Sequence, residues 1–133
     1  MRKTSTLAKY LRSWGPAAAW AAVLFLLSSI HGTDGGPSVP FLDKIAHFVL
    51  YAVLGGALAR GRSRAPSTVP HAVLLVLGAL YGISDEWHQS WVPGRDPDPA
   101  DWLADVVGLA MGYGTTMWFL GRTNDHGTIE GSR

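Results

Sequence analysis

A chain of 133 residues with a formal net charge of +1 is the length of one domain and carries no basic excess to hold a nucleic acid. It contains no cysteine, which excludes disulfides, thiol nucleophiles and thiolate metal sites. The hydrophobic share of 47% is ordinary for a soluble protein, but its distribution is not, because it falls into four long apolar runs.

The first run, Trp14 to Ile30, has no charged residue. The second, Ile45 to Ala59, is broken only by His47 and Tyr51. The third starts at Ala72 and continues as a helix-like stretch toward Trp91, and the fourth, Trp102 to Leu120, carries Asp105 and two threonines. With flanking residues each reaches about 17–22 residues, enough at ~1.5 Å per residue to cross most of a ~30 Å hydrocarbon layer. A soluble bundle would need a polar face on every helix, and the first run has none. The predicted fold is therefore all-α: a polytopic membrane protein with a compact bundle of four transmembrane helices at about 14–31, 43–60, 70–91 and 99–120. Residues 1–13 form a basic N-terminal segment, 14–120 the helical domain and 121–133 a flexible polar tail. Arg2, Lys3, Lys9 and Arg12 before the first run also suit a signal peptide, but the SSIHG that follows lacks a small-residue cleavage pattern.

Charge sets the expected orientation. Arg2, Lys3, Lys9, Arg12, Arg60, Arg62, Arg64, Arg122 and Arg133 fall on one side of such a bundle, with only Lys44 and Arg95 on the other. The positive-inside rule then predicts a multi-pass protein of the cell membrane with both termini cytoplasmic. Most acids, including Asp34 in the first outer loop, segregate to the outer side, leaving Asp125 and Glu130 inside.

Three polar motifs are expected to meet at that outer surface. DKIAHFVLY opens the second helix and puts Asp43, His47 and Tyr51 on one face at i,i+4 spacing. Asp43 suits an N-cap and Lys44 an interfacial side chain reaching for water, whereas His47 lies a turn deeper, where capping cannot explain it. YGISDEWHQ closes the third helix, setting Tyr81, Asp85, His88 and Gln89 along one face. Asp85 and Glu86 stand near a helix C-terminus, which disfavours carboxylates, so they need partners; Lys44, His47 and Arg95 are available. Trp87 and Trp91 suit the interfacial belt, and Pro93 ends the helix. In PGRDPDPADWLAD, Asp98 is an N-cap with Pro99 at the first helical position and Asp101 reaching back. Arg95 can hold a phosphate or carboxylate, or pair with Asp96 or Asp98. Asp105 lies a turn further in, on the face of Asp101, and has no capping role. Gly78 and Gly82, and Gly108 and Gly112, are small-residue pairs that let helices approach closely.

Such carboxylates with imidazole can do general acid–base work or bind a cation, but no HExxH or comparable metal-ligand spacing, phosphate loop or nucleophile elbow is present. No metal site and no cofactor is expected on that basis. The ordered motifs DKIAHFVLYAVLG and YGISDEWHQSWVPGRDPDPADWLADVVG resemble the VanZ-like family of small bacterial membrane proteins, from Asp43 to about Gly112. The resemblance implies a multi-pass envelope protein, and the family's namesake is linked to teicoplanin resistance. The motif positions that match are Asp43, Lys44, His47, Tyr51, Asp85, Glu86, Gln89, Arg95, Asp101, Asp105 and Gly108.

The leading expectation is an outward polar pocket built on His47, Asp85, Glu86 and Asp105, with Asp43, Lys44, Tyr51, His88, Gln89, Arg95 and Asp101 as ligand-binding residues. Its partners would be membrane lipids and, beyond them, a cell-wall precursor or a glycopeptide. The alternative is an intramembrane hydrolase or transferase using the same Asp/Glu/His cluster, with or without a metal. A proton or ion path is a third reading, set against the dry inner halves of the helices.

Overall fold

The computed structural model describes residues 5–30 and 41–130, with side chains as far as residue 123. Arg2, Lys3, Asp34 and Arg133 lie outside the described residues, and the side chains of Asp125 and Glu130 lie outside them too. Among the described residues the fold is all-helical: α1 Thr6–Ser28, α2 Leu42–Arg64, α3 His71–Gln89 and α4 Pro99–Glu130.

The helices start where local chemistry allows rather than where the apolar runs begin. Ser5 caps α1 by accepting from the Ala8 N–H at 3.3 Å, so the helix takes in the basic residues up to Ser13 before the charge-free run starts. Charge does not break a helix, and residues 6–13 contain neither glycine nor proline. Pro16 sits inside α1. At the other end of the chain α4 runs past Leu120 to Glu130, beyond the boundary drawn at the polar Gly121. No proline follows Gly121, and one glycine costs a helix only about 1 kcal/mol. α3 ends at Gln89, and Val92–Arg95 then forms a tight turn. Pro93 and Gly94 occupy its central positions, Gly94 has φ 75°, and the Arg95 N–H returns to the Val92 carbonyl at 3.2 Å.

α2 and α4 are the most intimately packed pair. A Cβ on Gly108 would strike the Phe48 carbonyl, one on Gly112 the Ala52 carbonyl, and one on Gly55 the Leu109 carbonyl. The two backbones are in direct contact because these positions lack side chains. Gly78 of α3 receives the Leu109 side chain, and Gly82 lies against Trp102 and Asp105. The small faces read from Gly78, Gly82, Gly108 and Gly112 thus do bring helices together, and Gly55 completes the set from α2. Leu24, Tyr51, Leu54 and Leu109 form the central core, with Ala59, Leu74 and Tyr113 below it. Aromatic donors tie the helices across: Trp20 Nε1 donates to the Leu50 carbonyl at 2.9 Å, Trp102 Nε1 to Ala79 at 3.1 Å, and the Tyr81 hydroxyl to Ala21.

The outward surface at mid-helix is apolar. Leu77, Met111 and Phe119 are each more than half exposed. α2 and the Pro99–Thr123 part of α4 are long and apolar enough to cross a membrane. At 23 residues α2 is about 34 Å long, matching a ~30 Å hydrocarbon layer. The longest charge-free run belongs instead to α1, which also takes in Lys9 and Arg12 at its start.

Candidate functional site

The polar motifs converge at one end of the bundle, formed by the start of α2, the end of α3 and the start of α4. This acidic end is held by two layers of contacts.

At its rim, Lys44 is a hub. Its ammonium lies 3.1 Å from Asp43, 2.8 Å from Asp98 and 2.9 Å from Asp101. Lys44 stays partly exposed at the rim, as an interfacial side chain does, but shares its charge with Asp98 and Asp101 at the start of α4 as well as with Asp43. Two local expectations are corrected here. Asp43 stands inside the first turn of α2 and makes no cap hydrogen bond. Asp98 does cap α4, accepting from the Ala100 N–H at 2.9 Å with Pro99 next in the helix, but Asp101 does not reach back to it. Lys44 has claimed Asp101, and the Asp98 N–H donates instead to Glu86 Oε2 at 3.1 Å. The Lys44 hydrogen bond holds the Asp98 carboxyl below the usual carboxylate range.

Beneath the rim, His47 of α2, Glu86 of α3 and Asp105 of α4 meet. His47 Nδ1 is 2.9 Å from Asp105 Oδ1 and 4.0 Å from Glu86 Oε1, while His47 Nε2 is 4.0 Å from Asp101 Oδ2. Asp105 has no exposed surface, and Glu86 retains 9%. Each carboxylate keeps one buried oxygen with no hydrogen-bond partner, Asp105 Oδ2 and Glu86 Oε1. Gly108, one turn past Asp105, touches the backbone next to His47, so the close α2–α4 approach is what brings this pair within reach.

Asp85 is buried on the neighbouring side, where the Tyr51 hydroxyl donates to it over a long 3.4 Å. Asp85, His47, Tyr51, Asp43, Gln89 and Arg95 line a cavity of about 130 Å³ together with Ser28 and an apolar wall that includes Leu24, Leu27 and Leu50; Lys44, Glu86, Asp101 and Asp105 do not line it. Arg95 pairs with neither Asp96 nor Asp98 among the described residues; its Nε donates to the Ile30 carbonyl at 3.3 Å, just past the end of α1. His88 is the predicted site residue that the fold turns elsewhere. Its Nε2 is 3.0 Å from Ser29 Oγ and its ring packs on Phe25, beside an aromatic cleft of Phe25, Tyr81, Trp87 and Trp91. Asp85 borders both that cleft and the cavity.

The expected meeting of His47 with Glu86 and Asp105 is present, whereas the Glu86 bond to the Asp98 N–H and the role of Lys44 as a hub have no counterpart in the sequence reading. Both join separate helices, and no local spacing announces them. The three ligand-type atoms of His47, Glu86 and Asp105 lie within 4.8 Å of one another, an arrangement that a search for HExxH-like spacing cannot detect. A family model described as VanZ/LLP1 matches residues 4–120. No curated protein and no solved structure matches the chain.

Proposed function

The chain belongs to the VanZ/LLP1 family, and on that premise we propose a multi-pass protein of the cell envelope whose outward-facing polar pocket engages the headgroup of an amphiphile. All four helices span the membrane in this reading, with both termini cytoplasmic. The nine-to-two division of Lys and Arg supports that orientation, and the apolar mid-helix surface supports the spanning itself.

The observation that carries the reading is the cavity's two-sided lining. Asp43, His47, Asp85 and Arg95 offer charge and hydrogen bonds on one side; Leu24, Leu27 and Leu50 offer hydrocarbon on the other. Ionisable groups buried in membrane helices are expensive and mark functional sites by default. The cavity volume of about 130 Å³ is well below the ~300–1,000 Å³ of sites that enclose a whole drug-sized ligand, so it suits a headgroup rather than an entire lipid. The aromatic cleft across Asp85 supplies a wall for the attached chain. A phospholipid, a lipid-linked cell-wall precursor and an acylated glycopeptide such as teicoplanin all carry such a head and tail. The family's namesake supports a part in glycopeptide resistance as one form of this engagement.

Alanine at Asp85, which lines the cavity, or at Glu86 or Asp105, which hold the lining residue His47, is expected to abolish the envelope phenotype while membrane abundance holds. Full activity in all three variants overturns the pocket reading. The cysteine-free chain makes topology directly testable: S90C should be labelled by an impermeant thiol reagent in whole cells and S67C only after lysis. The reverse pattern overturns the orientation.

The 2.9 Å contact between His47 and Asp105 favours one alternative, because a carboxylate-oriented imidazole is the arrangement of a general base. In that reading the protein is an intramembrane hydrolase or transferase, and lipid profiles of deletion and overexpression strains should differ. Identical profiles dismiss it.

A further inference from the structure

We propose that His47, Glu86 and Asp105 bind a divalent transition-metal cation of the Mn²⁺ or Zn²⁺ class. This deepens the reading above, since it rests on the same outward polar site.

Geometry comes first. The three donors arrive from α2, α3 and α4, and their ligand-type atoms all fall within 4.8 Å of one another. A cation about 2.0–2.2 Å from nitrogen and oxygen donors holds them roughly 3–4 Å apart. The contacts of 2.9 and 4.0 Å from His47 Nδ1 to Asp105 and Glu86 bracket that spacing.

The second observation is independent of the clustering. Asp105 is wholly buried and Glu86 largely so, yet Asp105 Oδ2 and Glu86 Oε1 have no donor. A buried carboxylate oxygen left without a donor is costly. Their sister oxygens are engaged, Asp105 Oδ1 by His47 and Glu86 Oε2 by the Asp98 N–H. The orphan Glu86 oxygen is the one that faces His47. Two buried acceptors without donors beside an imidazole nitrogen supply the donor set of a cation site, once the cation takes the place of the proton between Nδ1 and Asp105.

Charge points the same way. Lys44 is already shared among Asp43, Asp98 and Asp101, and Arg95 donates to the Ile30 carbonyl. Glu86 and Asp105 are left with one imidazole, which a dication would supplement with the charge that two carboxylates need. Coordination through Nδ1 would replace the hydrogen bond that Nδ1 makes to Asp105 Oδ1, with the Nδ1 proton displaced and the remaining ring proton on Nε2, 4.0 Å from Asp101 Oδ2. A carboxylate behind a ligating histidine is the usual outer support of a metal site. The mixed imidazole and carboxylate set selects against a soft, thiolate-seeking metal and against the all-oxygen cages of Ca²⁺. Three protein donors leave coordination positions for water or a ligand oxygen. His47 also lines the cavity, so the cation would stand at the wall of the headgroup site.

The test uses the full chain purified in detergent, stripped with chelator and titrated calorimetrically with Mn²⁺ and with Zn²⁺. About one equivalent per chain is expected for at least one ion, and D105N and E86Q should each weaken binding at least tenfold. D96N, which changes an exposed acid outside the cluster, should bind as the parent does. Circular dichroism and a monodisperse elution peak confirm that each variant is folded; should D105N fail this, E86Q carries the comparison. No saturable binding by the folded parent chain, or undiminished affinity in the folded variants, overturns the proposal. Failure here is separable from failure of the pocket reading. Without metal binding, alanine variants that still lose the phenotype leave the pocket standing. With metal binding, variants that keep the phenotype remove the pocket and leave the cation.

Discussion

The two ends of this bundle solve the same problem in opposite ways. At the basic end, polar side chains are matched by neutral partners: His71 Nδ1 lies 2.7 Å from the Tyr113 hydroxyl, Arg62 Nε donates to the Val69 carbonyl at 2.8 Å, and Tyr10 meets Ser67 at 3.0 Å. At the acidic end Asp85, Glu86, Asp101 and Asp105 are all buried, and two of them keep unpartnered oxygens. Among the described residues, every buried carboxylate lies at that end. Leu24, Leu54 and Leu109 separate the two regions, with Tyr51 turning its hydroxyl toward Asp85. Both ends join α4 to its neighbours, so helix docking alone does not require buried acids. The surplus at one end is the part that folding does not explain.

The largest expected effect strikes what both ends share. G112L places a branched side chain where even a Cβ would meet the Ala52 carbonyl. Backbone cannot repack as a side chain can, so the cost should exceed the ~1–3 kcal/mol typical of overpacking. The variant should give no monodisperse peak in detergent; a normal peak would break the view that α2–α4 contact builds the site. Next comes D105N, which keeps the shape of the buried carboxylate and removes its charge. Headgroup binding, measured with labelled lipid in nanodiscs, should fall at least tenfold, equivalent to about 1.4 kcal/mol. Unchanged binding would make the acidic end as structural as the basic one.

How much of this was readable in advance differs between fold and site for a physical reason. Four helices were legible because apolar runs of membrane length are a one-dimensional signal. Their limits were less so, because the run from Trp14 marks where charge stops while α1 starts at the Ser5 cap. The acids Asp85, Glu86 and Asp105 stood out because no local role absorbed them. Asp43 and Asp101 were read as caps because a local role was available for each; neither makes the cap bond, and what holds is the place of Asp43 in the first turn of α2. Position within a turn suggested a cap and a capping box. The actual bonds from Lys44 to Asp98 and Asp101 span 54 and 57 positions, and His47 to Asp105 spans 58. Helical spacing rules reach three or four residues, so they cannot register a bond of that span.

K44A tests the rim against the layer beneath it. Lys44 is partly exposed, and ion pairs of that kind are weakened by solvent and salt. Its removal should lower the thermal midpoint slightly, less so at high salt, and weaken headgroup binding less than D105N does. An effect as large as that of D105N would move the centre of the site to the rim. The pairing should also be insensitive to pH from 8 to 5. The folded-state pKa of Asp98 is lowered, so its contribution is present above the unfolded value of ~3.9 and is lost only as pH falls through the lower folded value. A thermal midpoint that K44A shifts at pH 8 but not at pH 5 would contradict this.

The smallest effect is the most discriminating. Y113F removes only the hydroxyl that meets His71 and leaves the ring in the lower core. A neutral hydrogen bond contributes about 0.5–1.5 kcal/mol, so unfolding in detergent should shift by that order. Headgroup binding and the envelope phenotype should not change, because Leu54 and Leu109 lie between this pair and the cavity. A proton path would need the two ends to communicate through that apolar layer. Proteoliposomes bearing the protein should therefore show no proton flux, with or without Tyr113. Flux that Y113F abolishes would join the two ends into one device, and the buried acids would then be relay groups rather than a binding site.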